Sequence, residues 1–148
     1  MTILHQMQMS GNCYKVRLTA HQLGIPLALH DYPLMGGETR KASFLSLNPN
    51  GRVPLLEFED GRTLAESGAI LFHLSEGSDL QPTDKWARAE MSQWMFFEQY
   101  SHEPYIAVAR FYLAYAPPDL REKMRDRAPE WHEKGSAALA VMDTHLQK

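Results

Sequence analysis

The sequence predicts an α/β domain built on a mixed four-stranded sheet, followed by a region that is helical throughout. Three observations lead to this fold class. Within residues 1–77 the patterns run strand, helix, strand, helix, hairpin and helix. A turn-rich segment, 78–83, then has the composition of a linker. In the remainder, 84–148, apolar residues recur with helical spacing, which predicts a separate all-α domain.

The beginning of the chain has the pattern of a strand–helix–strand unit. A strand is predicted over Thr2–Met7, and Ser10 has the side chain of a helix N-cap. The residues that repeat at steps of three and four, and so form one apolar helix face, are Cys13, Val16, Ala20 and Leu23. Gly24 ends this helix, and a second strand follows over Pro26–Tyr32. Because a crossover helix joins parallel strands, these two strands are expected to pair in parallel.

The next part of the first domain predicts an antiparallel pair and a last helix. A weaker helix is predicted over Glu38–Leu47, and a turn follows over Asn48–Pro54. Two short strands, Leu55–Glu59 and Arg62–Leu64, are joined by a hairpin turn at Asp60-Gly61. The last helix is predicted over Glu66–Leu74. With the parallel pair, these strands complete a four-stranded mixed sheet. Helices on both of its faces are the economical way to cover it.

The helical region begins with a long stretch over Asp84–Tyr115 that is crowded with aromatic and methionine side chains. Because these side chains occupy several faces, we expect burial on more than one side. Pro104 is expected to kink this stretch, and Pro117-Pro118 to end it. Asp119 and Glu122 then have the spacing of a capping box, which predicts a further helix.

Composition excludes several classes of function. The 148 residues are 44% hydrophobic and 22% charged with a formal net charge of −3, so the chain lacks the basic surface that nucleic acid requires. No apolar run approaches the roughly 20 residues of a membrane helix. The chain starts without signal-peptide features and has a single cysteine, so the cytoplasm is the expected location. The seven histidines show no metal-ligand spacing, and no metal is expected.

Two short segments of the first domain are candidates for ligand binding. A cis bond at Val53-Pro54 would turn the backbone of Val53 toward an extended peptide, whereas a trans proline at the start of an edge strand needs no ligand. The residues alone favour the trans form. Glu66 and Ser67 lie at a helix start, where free N–H groups and a carboxylate would suit an α-amino acid. Simple capping of the helix is the alternative, and for this segment alone it is favoured.

Ser10 and Cys13 have the spacing of a redox pair in which serine replaces the first cysteine, so no dithiol exists at this point. Cys13 falls on the apolar helix face and is expected to be a buried structural residue. The Ser10 hydroxyl is too weak an acid to attack without a base, but it can donate a hydrogen bond to the thiolate of another molecule. Three histidines, His5, His21 and His30, are expected on the surface.

Three motifs together resemble the cytosolic glutathione S-transferase family, in particular bacterial members with a theta- or zeta-like serine. They are S-G-N-C-Y-K-V-R-L, L-N-P-N-G-R-V-P-L-L and D-G-R-T-L-A-E-S-G-A-I-L-F-H-L, and the V-P followed at a fixed distance by E-S-x-A-I is the most specific part. The resemblance implies a thioredoxin-like N-terminal domain with a cis bond before Pro54. It further implies a transferase that uses glutathione as co-substrate and a small electrophile as second substrate, and that forms a homodimer.

The resemblance also implies which residues hold the glutathione tripeptide. The backbone of Val53, next to Pro54, would pair with its cysteinyl part. Glu66 and Ser67 would hold the γ-glutamyl end. Arg52 lies where the family often has a polar side chain near the glycyl carboxylate.

The reacting groups would lie beside the glutathione sulfur. Ser10 matches the position that donates a hydrogen bond to this sulfur, and Asn12 is a second candidate for that role. The walls of the second-substrate pocket are less well defined by the motifs, and Met35, Tyr105 and Phe111 are the candidates for them.

The helical domain departs from the family pattern. Members of the family continue with further helices where this sequence stops at Lys148, so we expect an incomplete domain and a C-terminally truncated chain. The apolar face from Trp131 to Leu146 would then lack part of its cover. The alternative to an enzyme is a non-catalytic module of the same fold, which binds glutathione weakly or associates with proteins through its helical half.

Overall fold

The computed structural model describes residues 1–147 of the chain. These residues form two compact units, Met1–Pro82 and a second that begins at Thr83. The first contains a four-stranded sheet with helices, and the described part of the second, 83–147, consists of helices and their connections. The predicted fold class, an α/β domain followed by a helical region, is confirmed.

The sheet of the first unit contains β1 (Ile3–Gln6), β2 (Ala28–Asp31), β3 (Leu55–Glu57) and β4 (Thr63–Ala65). The strand order is β2-β1-β3-β4. β1 and β2 pair in parallel, as the crossover predicts, while β3 pairs antiparallel with both β1 and β4. The mixed topology is therefore confirmed.

Helix α1 (Gly11–Gln22) begins and ends as its sequence predicts. The Ser10 hydroxyl oxygen caps it by accepting a hydrogen bond from the Cys13 N–H at 3.3 Å. Gly24, with φ 67°, ends it in the left-handed conformation that glycine adopts without strain. Cys13, Val16 and Ala20 are buried, so the predicted apolar face is the one that packs inward.

The core of the first unit joins the sheet to α1 and to α3 (Ser67–Ser75). Four fully buried side chains form its centre: Leu4 of β1, Val16 of α1, Leu56 of β3 and Ile70 of α3. Neighbouring side chains on a strand point to opposite faces, so the residue after Leu4, His5, lies on the other side of the sheet.

His5 is buried, and its predicted surface position is wrong. It is only 4% exposed; its Nδ1 lies 2.8 Å from the Tyr32 hydroxyl and its Nε2 lies 2.8 Å from a carboxylate oxygen of Glu57. A polar ring is tolerated in the interior when both nitrogens have partners. His21 and His30 are exposed, as predicted.

The predicted helix over Glu38–Leu47 is interrupted. A 3-10 turn covers Glu38–Arg40, and the short helix α2 covers Ala42–Leu45. Between them Lys41 has an extended backbone, with φ −73° and ψ 150°, and its carbonyl oxygen accepts the first N–H bonds of α2. The helical hydrogen bonding therefore restarts within this segment, which the spacing of apolar residues does not reveal.

The turn before β3 is organised by Asn48, which is 6% exposed. Its side-chain amide donates to the carbonyl of Arg52 at 2.8 Å, and its side-chain oxygen accepts from the N–H of Asn50 at 3.1 Å. The Gly51 N–H closes the turn onto the carbonyl of Asn48 at 2.9 Å. An asparagine side chain thus folds the backbone locally, as the turn-rich sequence predicts.

We expect Gly51→Ala to destabilise the first unit by about 2 kcal/mol or more. Gly51 has φ 64°, and an added Cβ would lie 2.9 Å from the carbonyl oxygen of Thr39 and 2.7 Å from a guanidinium nitrogen of Arg40. Gly61→Ala is the matched control, because Gly61 has φ 82° but nothing within 4 Å of an added Cβ. Urea unfolding should therefore show the larger loss for Gly51→Ala, and equal losses would contradict the steric argument.

The second unit contains four helices among the described residues. They are α4 (Lys85–Phe97), α5 (Glu103–Arg110), α6 (Pro118–Met124) and α7 (Ala128–Leu146). Two short π-helical segments, Glu98–His102 and Phe111–Tyr115, flank α5. Residue Gly135 of α7 lies against α5, where an added Cβ would come within 2.7 Å of the Ile106 side chain. α5 and α7 are therefore in close contact.

Prolines begin helices in this unit rather than bend them. Pro104 lies in the first turn of α5, where its missing N–H has no cost, and the regular α-helix is interrupted instead at the π segment before it. Pro118 likewise begins α6. The capping box predicted at Asp119 and Glu122 is wrong, because Pro117 is the N-cap and Asp119 already lies inside the first turn.

The aromatic residues of α4 are not buried as predicted. No residue of α4 is buried within this chain, and Trp86 and Phe96 are 72% and 70% exposed. Trp131 of α7 is instead 1% exposed, with its ring stacked on Tyr112 at a centroid distance of 5.4 Å. The apolar face of α7 is partly uncovered, since Leu146 is 80% exposed.

Candidate functional site

The start of α1 and the start of α3 meet in the first unit. Ser67, the first residue of α3, donates a hydrogen bond from its hydroxyl to the side-chain oxygen of Asn12 at 3.3 Å. Ser67 is 3% exposed, while Asn12 is half-buried. Because a helix N-terminus presents free N–H groups and a positive dipole end, two such ends side by side favour the binding of negatively charged groups.

Ser10 lies at the start of α1 and is half-buried. Its oxygen accepts from the Cys13 N–H, and its own N–H donates to the carbonyl of Met7 at 3.0 Å. The oxygen is the acceptor in the cap, and the side chain also acts on the neighbouring Cys13 thiol, whose pKa it lowers. The rotatable hydroxyl hydrogen can be donated to this sulfur or to that of a bound molecule. Ser10 is therefore the N-cap of α1, and its hydroxyl is a group that can donate a hydrogen bond to a sulfur.

Cys13 is fully buried, which confirms its predicted position in the core. Its sulfur accepts a hydrogen bond from the Met7 N–H at 3.5 Å. Burial raises the pKa of the Cys13 thiol and outweighs the hydrogen bonds from Ser10 and Met7, which lower it. The residue therefore stays a neutral thiol at neutral pH, as expected of a cysteine that does no chemistry.

We expect the Cys13 thiol to react with Ellman's reagent at least about tenfold more slowly in the native protein than in guanidinium, because the chain must open to expose it. The measurement follows the release of the coloured thiolate under the two conditions. A native rate equal to the denatured rate would contradict the buried, inert role.

The Val53-Pro54 bond is cis. The preference for a trans bond, drawn from the residues alone, is wrong, and the expectation carried by the resemblance is met. Val53 is half-buried, and within residues 1–147 neither its N–H nor its C=O has a hydrogen-bond partner. Pro54 is buried, and Arg52 is exposed. The segment thus offers one free donor and one free acceptor beside an exposed cation.

Glu66 is the one non-glycine residue with a positive φ, 67°, among residues 1–147. It is exposed and occupies the N-cap position of α3, but its side chain makes no capping bond, so the alternative of simple capping is wrong for Glu66. The N–H groups of Ser67, Gly68 and Ala69 have no partner within the described chain. A strained residue held beside free N–H groups is typical of a ligand clamp.

The candidates for a second-substrate pocket lie in different units. Met35 is 54% exposed in the loop of the first unit that follows β2. Tyr105 and Phe111 are half-buried in the second unit, where the ammonium of Lys134 lies 5.2 Å from the Tyr105 ring centre. The role of these three residues stays a prediction.

One polar residue at this site was missed by the sequence reasoning. Arg17 lies one helical turn after Cys13 and contacts the loop before α1 through Gln8. The i, i+4 spacing from Cys13 puts both residues toward the same side of the helix, which is the signal that could have found it.

Two features are absent from residues 1–147. Within residues 1–147 no group of three or more histidine, cysteine, aspartate or glutamate side chains is arranged to hold a metal ion. A search of the same residues also finds no helix with the length and apolarity needed to cross a membrane.

Comparison with known proteins gives the family. The N-terminal domain family of glutathione S-transferase matches residues 9–76. A crystal structure of glutathione S-transferase from Pseudomonas fluorescens is 44% identical, with a TM-score of 0.94 over 99% of this chain and 72% of that chain. Ure2p in complex with glutathione is 26% identical, with a TM-score of 0.82 over 97% of this chain and 61% of that one.

A curated relative, protein URE2 of Eremothecium gossypii, is 30% identical over 141 residues, which is 87% of this chain. The chain spans 40% of the length of that relative. The likeness to the Pseudomonas enzyme is higher and covers most of both chains. On this basis the chain belongs to the glutathione S-transferase family.

Proposed function

We propose that the chain binds glutathione and activates its thiol for attack on small electrophiles, as a transferase of the serine type. The observation that carries this proposal is the meeting of two helix starts: α1 with Ser10 and Asn12, and α3 with Ser67, joined by the Ser67–Asn12 hydrogen bond. Glutathione has a carboxylate at each end and a thiol between them, so it presents negative groups to both helix starts.

The α-amino acid end of glutathione fits the start of α3. Its carboxylate accepts from the free N–H groups of the first turn, and the hydroxyl of Ser67 lies at the same place. Its ammonium group pairs with the exposed carboxylate of Glu66. The unpaired backbone of Val53, beside the cis bond to Pro54, suits the cysteinyl part, and the exposed Arg52 suits the glycyl carboxylate.

The thiol is activated without covalent chemistry by the protein. A thiol of pKa about 8.5 is only a few per cent ionised at pH 7, and a pKa of about 7 requires about 2 kcal/mol of stabilisation of the thiolate. The Ser10 hydroxyl and the start of α1 favour the charged form. Asn12 accepts from Ser67 through its oxygen, so its amide N–H₂ is the group that can donate to the sulfur.

In the reaction the thiol proton passes to solvent, and the thiolate forms a carbon–sulfur bond to the electrophile. The leaving group departs with the electron pair of the bond that breaks. Met35, Tyr105 and Phe111 are proposed to contact the electrophile. A homodimer, a cytoplasmic location and a role in detoxification are part of the same proposal. The solved structure of Ure2p in complex with glutathione supports the choice of ligand.

Calorimetry with glutathione, combined with turnover of a generic aryl halide, tests the proposal. We expect saturable binding and a glutathione-dependent release of halide. No binding at millimolar glutathione would contradict the proposal. Binding without turnover would instead support the alternative of a non-catalytic module, for which the exposed aromatic residues Trp86, Phe96 and Tyr100 provide a surface for protein association.

A further inference from the structure

A polar network that runs from a buried glutamine to exposed groups lies behind the start of α1. Gln6, the last residue of β1, is 2% exposed. Its side-chain oxygen accepts from one guanidinium nitrogen of Arg17, and its side-chain nitrogen donates to a carboxylate oxygen of Asp31 at 2.8 Å. The second guanidinium nitrogen of Arg17 donates to the carbonyl of Gln8 at 3.2 Å. The guanidinium therefore joins the end of β1 to the loop that follows it.

That loop, Met7–Met9, leads directly to Ser10. It is held at two neighbouring points from α1, since Cys13 accepts from the Met7 N–H and Arg17 donates to the Gln8 carbonyl. Residues four apart on a helix lie on the same side, so these two side chains support the loop together. The Ser10 N–H then bonds to the carbonyl of Met7 at 3.0 Å, which fixes the position of Ser10 relative to the loop.

We infer that Arg17 is a positioning residue, which holds the Met7–Met9 loop so that the Ser10 hydroxyl is directed at the glutathione sulfur. The inference rests on the proposed function of Ser10. Arginine suits this role because its planar fork donates to two acceptors at once, whereas a lysine ammonium is a point charge.

The role inferred for Arg17 is a geometric one, carried by its hydrogen bonds to Gln6 and Gln8. Its positive charge is offset nearby by Asp31, the two being joined through Gln6. Both charges also act on the Cys13 thiol. Its pKa is raised mainly by burial; Arg17 lowers this pKa and Asp31 raises it. Asp31 thus offsets part of the charge of Arg17, and the bonds from Cys13 and Arg17 to the loop are what fix the position of the loop.

The test compares Arg17→Met with Arg17→Lys, and uses Arg62→Met as the charge-removal control. Arg62 pairs with Asp60 in the hairpin turn and takes no part in the loop. Hydrogen exchange by NMR follows the Ser10 N–H without any ligand. Ultraviolet absorbance of the thiolate then gives the pKa of bound glutathione, and calorimetry gives its affinity.

For Arg17→Met we expect exchange of the Ser10 N–H to be about tenfold faster or more, with the amides in the last turn of α1 unchanged. The bound thiol should have a raised pKa, while the affinity for glutathione changes less than about threefold. For Arg17→Lys we expect an exchange rate of the Ser10 N–H and a pKa of the bound thiol between those of wild type and Arg17→Met, because a single ammonium group holds one of the two acceptors well. For Arg62→Met both quantities should equal those of wild type.

Unchanged Ser10 exchange in Arg17→Met would overturn the inference, and so would faster exchange along the whole of α1, which indicates a general loss of structure. If Arg17→Met does not fold, the comparison of Arg17→Lys with wild type decides in the same way. A wild-type chain that does not bind glutathione contradicts the proposed function, and the exchange of Ser10 still decides whether Arg17 holds the loop.

Discussion

Replacement of Ser10 by alanine should lower glutathione turnover at pH 7 by up to about fifteenfold, and this deficit should nearly disappear at pH 9. The upper limit applies if the hydroxyl supplies the whole lowering of the pKa of the bound thiol from about 8.5 to about 7, because its loss then reduces the ionised fraction at pH 7 from about one half to about 3%. At pH 9 most of the thiol is ionised in either case. The affinity at pH 7 should change only about twofold, because half of the bound thiol is neutral at that pH.

The N-cap role of Ser10 must be separated from its role as a donor. Ser10→Ala removes both and should also cost about 1 kcal/mol of stability, since the Cys13 N–H loses its partner. Ser10→Asp keeps an oxygen for the cap but has no proton to donate, so it should retain stability and lose turnover. Ser10→Thr keeps both functions. A Ser10→Asp variant as active as wild type, or a deficit independent of pH, would contradict the donor role.

Replacement of Glu66 by glycine should raise stability and weaken glutathione binding at the same time. Glu66 has φ 67°, a conformation that is strained for a residue with a Cβ and free of strain for glycine, so the free energy of unfolding should increase by about 1 kcal/mol. Removal of the carboxylate leaves the ammonium group of glutathione without its partner. We expect the dissociation constant to rise by about tenfold or more, a loss typical of a charge-assisted hydrogen bond.

Glu66→Gln is the matched variant for the carboxylate. It keeps the Cβ and hence the backbone strain, so its stability should equal that of wild type while its affinity falls. Urea unfolding and calorimetry measure the two quantities independently. A Glu66→Gly variant that is less stable than wild type, or a Glu66→Gln variant with unchanged affinity, would contradict the assignment.

The local features of the first unit could be predicted from the sequence because each has a short-range cause. The cap at Ser10, the buried face through Cys13 and the glycine that ends α1 all follow from residue types within one helix. The parallel pairing of β1 and β2 follows from the crossover. Motifs at helix starts and at a turn predict the residues of the candidate site, and their roles stay predictions.

Features that depend on partners distant in the chain could not be predicted in this way. His5 can be buried because Glu57 on β3 and Tyr32, which directly follows β2, satisfy its ring nitrogens. Arg17 reaches back across the start of its own helix to Gln6 and Gln8. Single-sequence periodicity reports which face of an element is apolar, but it does not report which polar groups will meet once the sheet is assembled.

The same limit explains the error over α4. Aromatic side chains on several faces predict burial, yet Trp86 and Phe96 are exposed within this chain. A sequence pattern indicates that a helix surface is apolar, but it does not indicate which part of the protein, if any, packs against that surface. The π-helical segments could not be predicted either. A proline such as Pro104 marks a possible break in a helix, but no residue type marks a π-helical segment in the same way.

Tryptophan and cysteine lie in different units of the protein, so each unit has its own optical signal. The three tryptophans of the chain, Trp86, Trp94 and Trp131, all lie in the second unit. Their fluorescence therefore reports the helices, with the emission of Trp86 open to a soluble quencher and that of Trp131, 1% exposed, shielded from it. The first unit has no tryptophan but contains the only thiol, that of Cys13. Quenching and thiol release can thus follow the opening of the two units separately in one unlabelled sample.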